Sequence, residues 1–309
     1  MQQTLEIIIP VFGMAVMGYG SGRLGILDEK AAKGLSAFVF KLAIPIMLFR
    51  ALGRLELPEI EFRGLAAYYS AAGLVYFSCA MYARRVLKFT CDESGTYAMG
   101  SAFANTVLLA FPIVMKVHGE AGTLPLLLII SCHTTWLFSI GTLYIETGRA
   151  RGKGLFKTLG RVLKGLVTNP IVVGLLCGLL WNALGLTLPT YLDEICEMFG
   201  DAAVPGALFS MGLSLCGFKM AGNLSHILQL TLWKLFIHPA VMWVFATQIF
   251  HLSPIWTSVT VLAAAMPSGV NAYLFAASYE TREATVAATV LLSTGLAMVT
   301  ITGLLLLGI

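Results

Sequence analysis

Residues 263–276 read AAAMPSGVNAYLFA, inside an apolar run from Ile255 to Tyr279 that is otherwise long enough to cross a bilayer as a helix. Pro267, Ser268, Gly269 and Asn271 fall together in its middle. Proline removes a backbone hydrogen bond and clashes with the preceding turn. The carbonyl and N–H groups so freed cannot be satisfied by hydrocarbon. They are tolerable at mid-depth only where protein, water or a ligand meets them, and half-helices ending there present N–H groups that suit an anion. The amide of Asn271 offers both donors and acceptors.

The rest of the chain fixes the class. Of its 309 residues 58% are hydrophobic and 12% charged, where soluble domains carry about 25% charge. Apolar runs of about 20 residues recur throughout, without the alternating segments of a membrane β-barrel. The expected fold is an all-α polytopic membrane protein with ten spans, at 4–22, 31–52, 62–87, 94–117, 121–146, 167–187, 191–217, 226–249, 255–279 and 284–307. The first lacks a basic leader and a small-residue cleavage site, and is read as a true span. A net charge of +4 carried in loops is not a nucleic-acid signature. The six cysteines show no CxxC spacing and read as small buried hydrophobes. No HExxH, GxSxG or Walker loop occurs, so no catalytic residue, metal or cofactor is expected.

Loops after odd-numbered spans hold fourteen Lys and Arg; even-numbered loops and the termini hold four, Arg50, Arg54, Arg63 and Lys116. The positive-inside rule places the odd loops in the cytoplasm of a plasma (inner) membrane and both termini outside. The basic stretch 149–164 then separates two halves, 1–148 and 165–309. An ungapped offset of 160 lays Pro10 on Pro170, Gly18 on Gly178, Gly25 on Gly185, and AIPIMLF (43–49) on AVPGALF (203–209). Five spans per half insert the second half upside down, the inverted repeat of many secondary transporters.

The same offset lays 263–276 on FANTVLLAFPIVMK (103–116), which carries Asn105 and Pro112. A pair of interrupted spans at matching places is the best sequence pointer to a transport site. The alternative is two plain proline kinks packed against neighbours. The transport reading makes Asn105, Pro112, Pro267, Ser268, Gly269 and Asn271 the candidate substrate-binding residues. The counterpart of Pro112 is Ala272, not a proline, so the second break is expected to rest on Gly269 and Asn271, with a shifted crossing.

FANTVLLAFPIV resembles the Asn-x₆-Pro segment of the auxin efflux carrier family in its small bacterial form, and MPSGVNAYLFA resembles that family's ninth-helix motif. The resemblance implies that spans four and nine cross at their breaks, and that spans one, two, six and seven form a scaffold against which the other six move. It implies a small organic anion as substrate (auxin in plants, malonate or malate in several bacterial members) and a homodimer.

Ionisable residues inside spans are functional candidates by default. Lys41 and Asp201 are 160 residues apart, each four residues before a matched proline. They read as a charge or proton relay beside the crossing, or as a structural ion pair. Lys234 and His238 stand one turn apart in span eight, and His133 lies within span five. Each reads as a packing residue or a coupling group, with a proton as the possible coupled ion. Tyr68, Tyr69 and Tyr273 line a cavity or pack. Two readings compete with a secondary transporter for a carboxylate. One is a sodium-coupled symporter like the bile acid carriers, disfavoured because spans four and nine carry no carboxylate. The other is a membrane enzyme or sensor, for which neither a clustered site nor a soluble domain is visible.

Overall fold

The computed structural model describes residues 2–54, 61–148 and 170–308. The basic stretch 149–164 lies outside the described residues. Among these the chain is helical, with no strand beyond one isolated bridge. Six helical segments are long and apolar enough to cross a membrane: Lys30–Gly53, Phe62–Arg85, Ala121–Gly148, Thr190–Leu215, Leu224–Ile249 and Glu283–Leu306.

Helix α1 (Gln2–Arg23) is followed by α2 (Glu29–Phe38), whose N-terminus is capped by the Asp28 carboxylate on the Ala31 N–H. A π-helical turn, Val39–Ala43, joins α2 to α3 (Ile44–Gly53). Next come α4 (Phe62–Arg85) and α5 (Cys91–Ala102), which opens on a capping box between Thr90 and Glu93. A second π turn, Thr106–Ala110, leads into α6 (Phe111–His118), and α7 (Glu120–Gly148) closes the first half. The second half holds α8 (Pro170–Ala183), α9 (Thr190–Leu215) and α10 (Leu224–Leu232). A third π turn, Trp233–Ile237, precedes α11 (His238–Val244); α12 (Pro254–Ala265), α13 (Val270–Ser278) and α14 (Glu283–Leu306) complete the chain.

Three of the four π turns have a common cause; the fourth, Phe245–Ile249, is followed by no such proline. Pro45, Pro112 and Pro239 each stand at the second residue after one. A proline cannot donate to the carbonyl four residues back, and its ring clashes there. Widening the preceding turn by one residue clears the ring while keeping the helix continuous.

Two close helix pairs organise one side of the bundle. A Cβ on Gly18 of α1 would collide with the carbonyl oxygen of Phe209 on α9. A Cβ on Gly178 of α8 would lie 2.7 Å from the carbonyl oxygen of Phe49 on α3. Only glycine allows such backbone approach, the means by which helices pack where lipid supplies no hydrophobic drive. The two contacts are the same contact, 160 residues apart. The helix ends repeat too. Gly25 and Gly185 have φ of 71° and 66°, a region that favours glycine. The N–H of Gly25 donates to Gly22 and that of Ile26 to Ser21; the N–H of Gly185 donates to Asn182 and that of Leu186 to Trp181.

All six cysteines are free thiols. Cys79 and Cys196 are buried, as expected of small hydrophobes, but Cys132 and Cys177 are exposed, which corrects that reading for these two. Both lie on apolar helices, Cys132 on the long α7 and Cys177 on the shorter α8, whose outer faces can meet lipid, where a thiol costs little.

Candidate functional site

The two interrupted helical stretches meet at their interruptions. Helix α5 ends at Ala102 and α12 ends at Ala265. Ala104 and Ser268 form the isolated antiparallel bridge. The Asn105 N–H donates to the Pro267 carbonyl at 2.9 Å, and the Gly269 N–H donates to the Phe103 carbonyl at 3.0 Å. Each break thus satisfies part of the other's backbone, and the Ser293 hydroxyl takes the Ser268 N–H at 3.1 Å. This is how bare backbone survives in an apolar bundle.

The breaks fall partly where the sequence pattern puts them: Asn105 closes the first, and Pro267, Ser268 and Gly269 lie in the second. Pro112 is not in the first break, which lies at residues 103–105; Pro112 sits seven residues beyond Asn105, inside a helix already re-formed around it. The second break rests on residues 266–269, so Gly269 belongs to it as expected, whereas Asn271 lies in the first turn of α13. Ala104 pairs with Ser268, four residues out of the 160 register; Pro112 lies beyond the first break, whereas Pro267 lies within the second.

Asn105 does two things. Its Oδ1 accepts the Leu108 N–H at 3.2 Å, capping the re-formed helix, and its Nδ2 lies 3.1 Å from Met211 Sδ on α9. A thioether is a weak acceptor, so this donor is readily given to a better one. No side chain caps α13, and the half-buried Asn271 amide makes no hydrogen bond among the described residues. The Ser268 hydroxyl is buried without a partner. At the crossing, therefore, two helix N-termini carry donors that nothing stronger claims.

An open vestibule of about 940 Å³ approaches the first break from α1, α3, α6 and α9. Pro112 and Asp201 line it, with Arg50, Arg54, Lys116 and Glu197. Below it an apolar constriction of about 10 Å³ shares Met47, Phe111, Pro112 and Val204 with the vestibule and reaches Val107, two residues beyond Asn105. Asn105 itself lines neither space.

Lys41 and Asp201 do not form the ion pair that was one of their two readings. Both are exposed, and neither pairs with a charged group among the described residues. The ion pairs between α3 and α9 are formed further along. Arg50 Nε lies 2.8 Å from Asp193 Oδ1 and its Nη2 3.2 Å from Glu197, while Arg54 Nη1 lies 3.1 Å from Asp193. Arg50 and Arg54 sit at the end of α3, where the sequence counted them only toward the topology, and Asp193 and Glu197 drew no reading from sequence. The matched AIPIMLF and AVPGALF segments were the available signal, since they place α3 against α9.

Three predicted coupling residues do come together. Lys234 Nζ donates to the Ala264 carbonyl at 2.7 Å and lies 2.9 Å from His238 Nδ1. His133 Nε2 accepts the Ala104 N–H at 3.2 Å. Tyr68, expected to line a cavity or pack, is fully buried between the histidines, its ring centroid 5.7 Å from that of His133 and 6.4 Å from that of His238. No group of three or more His, Cys, Asp or Glu among the described residues could hold a metal.

The family model for membrane transport proteins matches residues 4–305. A Rhizobium meliloti protein named "Putative malonate transporter" is 24% identical over 99% of this chain and 96% of its own length. Auxin efflux carrier component 8 of Arabidopsis thaliana is 24% identical over 88% of each chain. An uncharacterized transporter of Methanothermobacter thermautotrophicus is 24% identical over 96% of this chain and 95% of its own length. With paired helix breaks beside a charged vestibule, a multi-pass apolar bundle and a family match along nearly its whole length, this chain belongs to the membrane transport protein family that includes the auxin efflux carriers, and is a transporter rather than an enzyme.

Proposed function

We propose that the chain is a secondary transporter of a small organic anion, a carboxylate such as malonate or malate, working by alternating access. The observation that carries this reading is the bridge between Ala104 and Ser268, which sets two helix N-termini together, with the apolar constriction at Val107 between them and a vestibule lined by three cations and two carboxylates. Each helix N-terminus carries about half a positive charge, so the pair suits one carboxylate. Asn105 and Asn271 would orient it, with Ser268 and the backbone beside Pro267 and Gly269. The name of the Rhizobium relative supports malonate as the first acid to try.

In this reading the chain crosses the membrane ten times as two inverted halves, 1–148 and 165–309, with 149–164 and the other odd loops in the cytoplasm. The recurrence of the Gly18–Phe209 contact as Gly178–Phe49 supports the two-fold relation. Helices α1, α3, α8 and α9 form the scaffold, and the remainder carries the crossing. Arg54 and Lys116 stand in even loops, so the vestibule opens to the outside, and the constriction around Phe111 and Val107 closes the path beneath it. Two copies would associate through scaffold faces.

The test is uptake of labelled malonate, malate and an aromatic monocarboxylate into proteoliposomes. Saturable uptake of one acid, lost in Asn105→Ala and Asn271→Ala while both variants remain folded, is the expected outcome. Unchanged uptake in both variants would sink the site, and uptake driven by a sodium gradient alone would favour the bile-acid-carrier type of coupling.

A further inference from the structure

Besides Ser293, the side chains packed behind the crossing include four titratable ones. Tyr68 on α4, His133 on α7, Lys234 in the π turn and His238 on α11 are each no more than 1% exposed, and none lines the vestibule. A buried ionisable group in a membrane bundle is costly and is kept for a reason.

Their hydrogen bonds are specific to the two breaks. Lys234 donates to the Ala264 carbonyl, the next-to-last residue of α12, so it holds the end of one broken helix. His133 accepts from the Ala104 N–H, the bridge residue of the other. A ring nitrogen accepts only when it carries no proton, so His133 Nε2 is bare and its proton sits on Nδ1. Protonating Nε2 as well would turn an acceptor into a donor facing a donor, and the Ala104 N–H would lose its partner. By the same reasoning, with Lys234 as ammonium, His238 Nδ1 is the acceptor and its proton sits on Nε2. Of the remaining polar atoms, His133 Nδ1 and the Tyr68 and Ser268 hydroxyls have no partner among the described residues, and the Ser101 backbone carbonyl faces His238.

The charges around the cluster favour one proton and no more. No carboxylate pairs with it among the described residues. Helix α12 contains no titratable residue. Those of α5 lie toward its other end, where Glu93 pairs with Arg282 and the Tyr97 hydroxyl donates to His226; α14 carries only Glu283, at its start. From α4 and α7 the facing groups are Tyr68 and His133. The negative counterpart is backbone: α5 and α12 both end at the crossing, each C-terminus worth about half a negative charge. Lys234 sits against the C-terminus of α12, away from the two N-termini, so one positive charge there is favoured and a second has no counterpart.

We infer that Lys234 and His238 hold one shared proton behind the crossing, while His133 stays without it to keep Ala104, and that the proton's occupancy sets the geometry of the two breaks. The proton moves between Lys234 Nζ and His238 Nδ1 along the 2.9 Å contact; its loss to solvent leaves a neutral amine on the Ala264 carbonyl. Because Ala104 and Ser268 are also the frame of the anion site, the proton is the ion linked to substrate binding. That last step rests on the carboxylate-transporter reading; the proton site does not.

Two measurements keep the claims separable. The first is hydrogen exchange of the full chain in lipid nanodiscs without substrate, from about pH 5.5 to 8.5, corrected for intrinsic exchange, read at the amides of Asn105 and Gly269. In the wild type, protection should change by up to about tenfold per pH unit, the slope one linked proton gives. Lys234→Gln keeps a donor for Ala264 but does not titrate, and should flatten the profile at the crossing while protection elsewhere persists. His133→Gln keeps an acceptor for Ala104 and leaves the Lys234–His238 contact in place, so its profile should still depend on pH. The same pH profile in the wild type and Lys234→Gln overturns the site, as does a profile that is flat only in His133→Gln. The second is labelled malonate uptake under an imposed pH gradient, expected to follow the gradient in the wild type and to ignore it in Lys234→Gln. Uptake that still follows the gradient in Lys234→Gln also overturns the site. No uptake by the wild type, with pH-dependent protection intact, defeats malonate as substrate and upholds the proton site.

Discussion

Ala104 and Ser268, 164 residues apart in sequence, are paired as a single antiparallel bridge, and it joins the two halves of the molecule at the point where both lose their helix. A Cβ added at Gly269 would lie 3.0 Å from the Phe103 ring and 3.3 Å from the Ala104 carbonyl oxygen. Gly269→Val should therefore push the breaks apart, costing about 1–3 kcal/mol as an overpacked contact does. Thermal melting should register a modest loss and anion uptake a large one. Full uptake by Gly269→Val would show that the close approach is dispensable.

Asn105 separates its two duties by substitution. Asn105→Asp keeps an acceptor for the Leu108 N–H but replaces the amide donor with a negative charge beside the anion site. It should melt close to the parent and bind malonate far more weakly. Asn105→Ala loses the cap as well and should give up about 1 kcal/mol more of stability. Melting curves and equilibrium binding on the same preparations check both.

Gly18 and Gly178 make equivalent backbone contacts on different helix pairs. Gly18→Val and Gly178→Val should each separate a scaffold pair, α1 from α9 or α8 from α3. Similar losses of melting temperature are expected if the halves are related by symmetry. A large loss from one and none from the other would count against the repeat.

A pH-dependent contribution lies in the first turn of α5, outside the expected spans. Burial alone would raise the Glu93 carboxyl. The Thr90 N–H at 2.9 Å and the Arg282 guanidinium at 2.7 Å outweigh it and hold the group below its ordinary value. A carboxyl depressed on folding contributes stability above its unfolded value, lost as pH falls through its folded one. Glu93→Gln, which preserves the capping-box pattern, should melt below the parent by a constant margin above about pH 5, narrowing in more acidic buffer. A margin that stays constant into acid would show that the carboxylate charge contributes nothing.

The sequence by itself determined the class and much of the frame. Charge depletion and repeated apolar runs follow from the cost of burying charge in lipid, which composition records directly. Gly25 and Gly185, matched at an offset of 160, close their helices with the same turn because glycine most readily adopts that backbone. The pairing of interrupted stretches was also legible, since proline and asparagine are conspicuous inside apolar runs. Tertiary structure alone decided where within each stretch the break falls. Proline marks a helix under strain, yet the π turn before Pro112 absorbs that strain locally, and the chain opens instead at residues 103–105, where the opposite strand supplies hydrogen bonds. It likewise decided that Arg50 meets Asp193 while Lys41 and Asp201 stay apart, and that Lys234 and His133 hold opposite breaks. A sequence shows which groups are costly to bury, but which partner meets that cost depends on helices separated in sequence arriving within a few ångströms of each other.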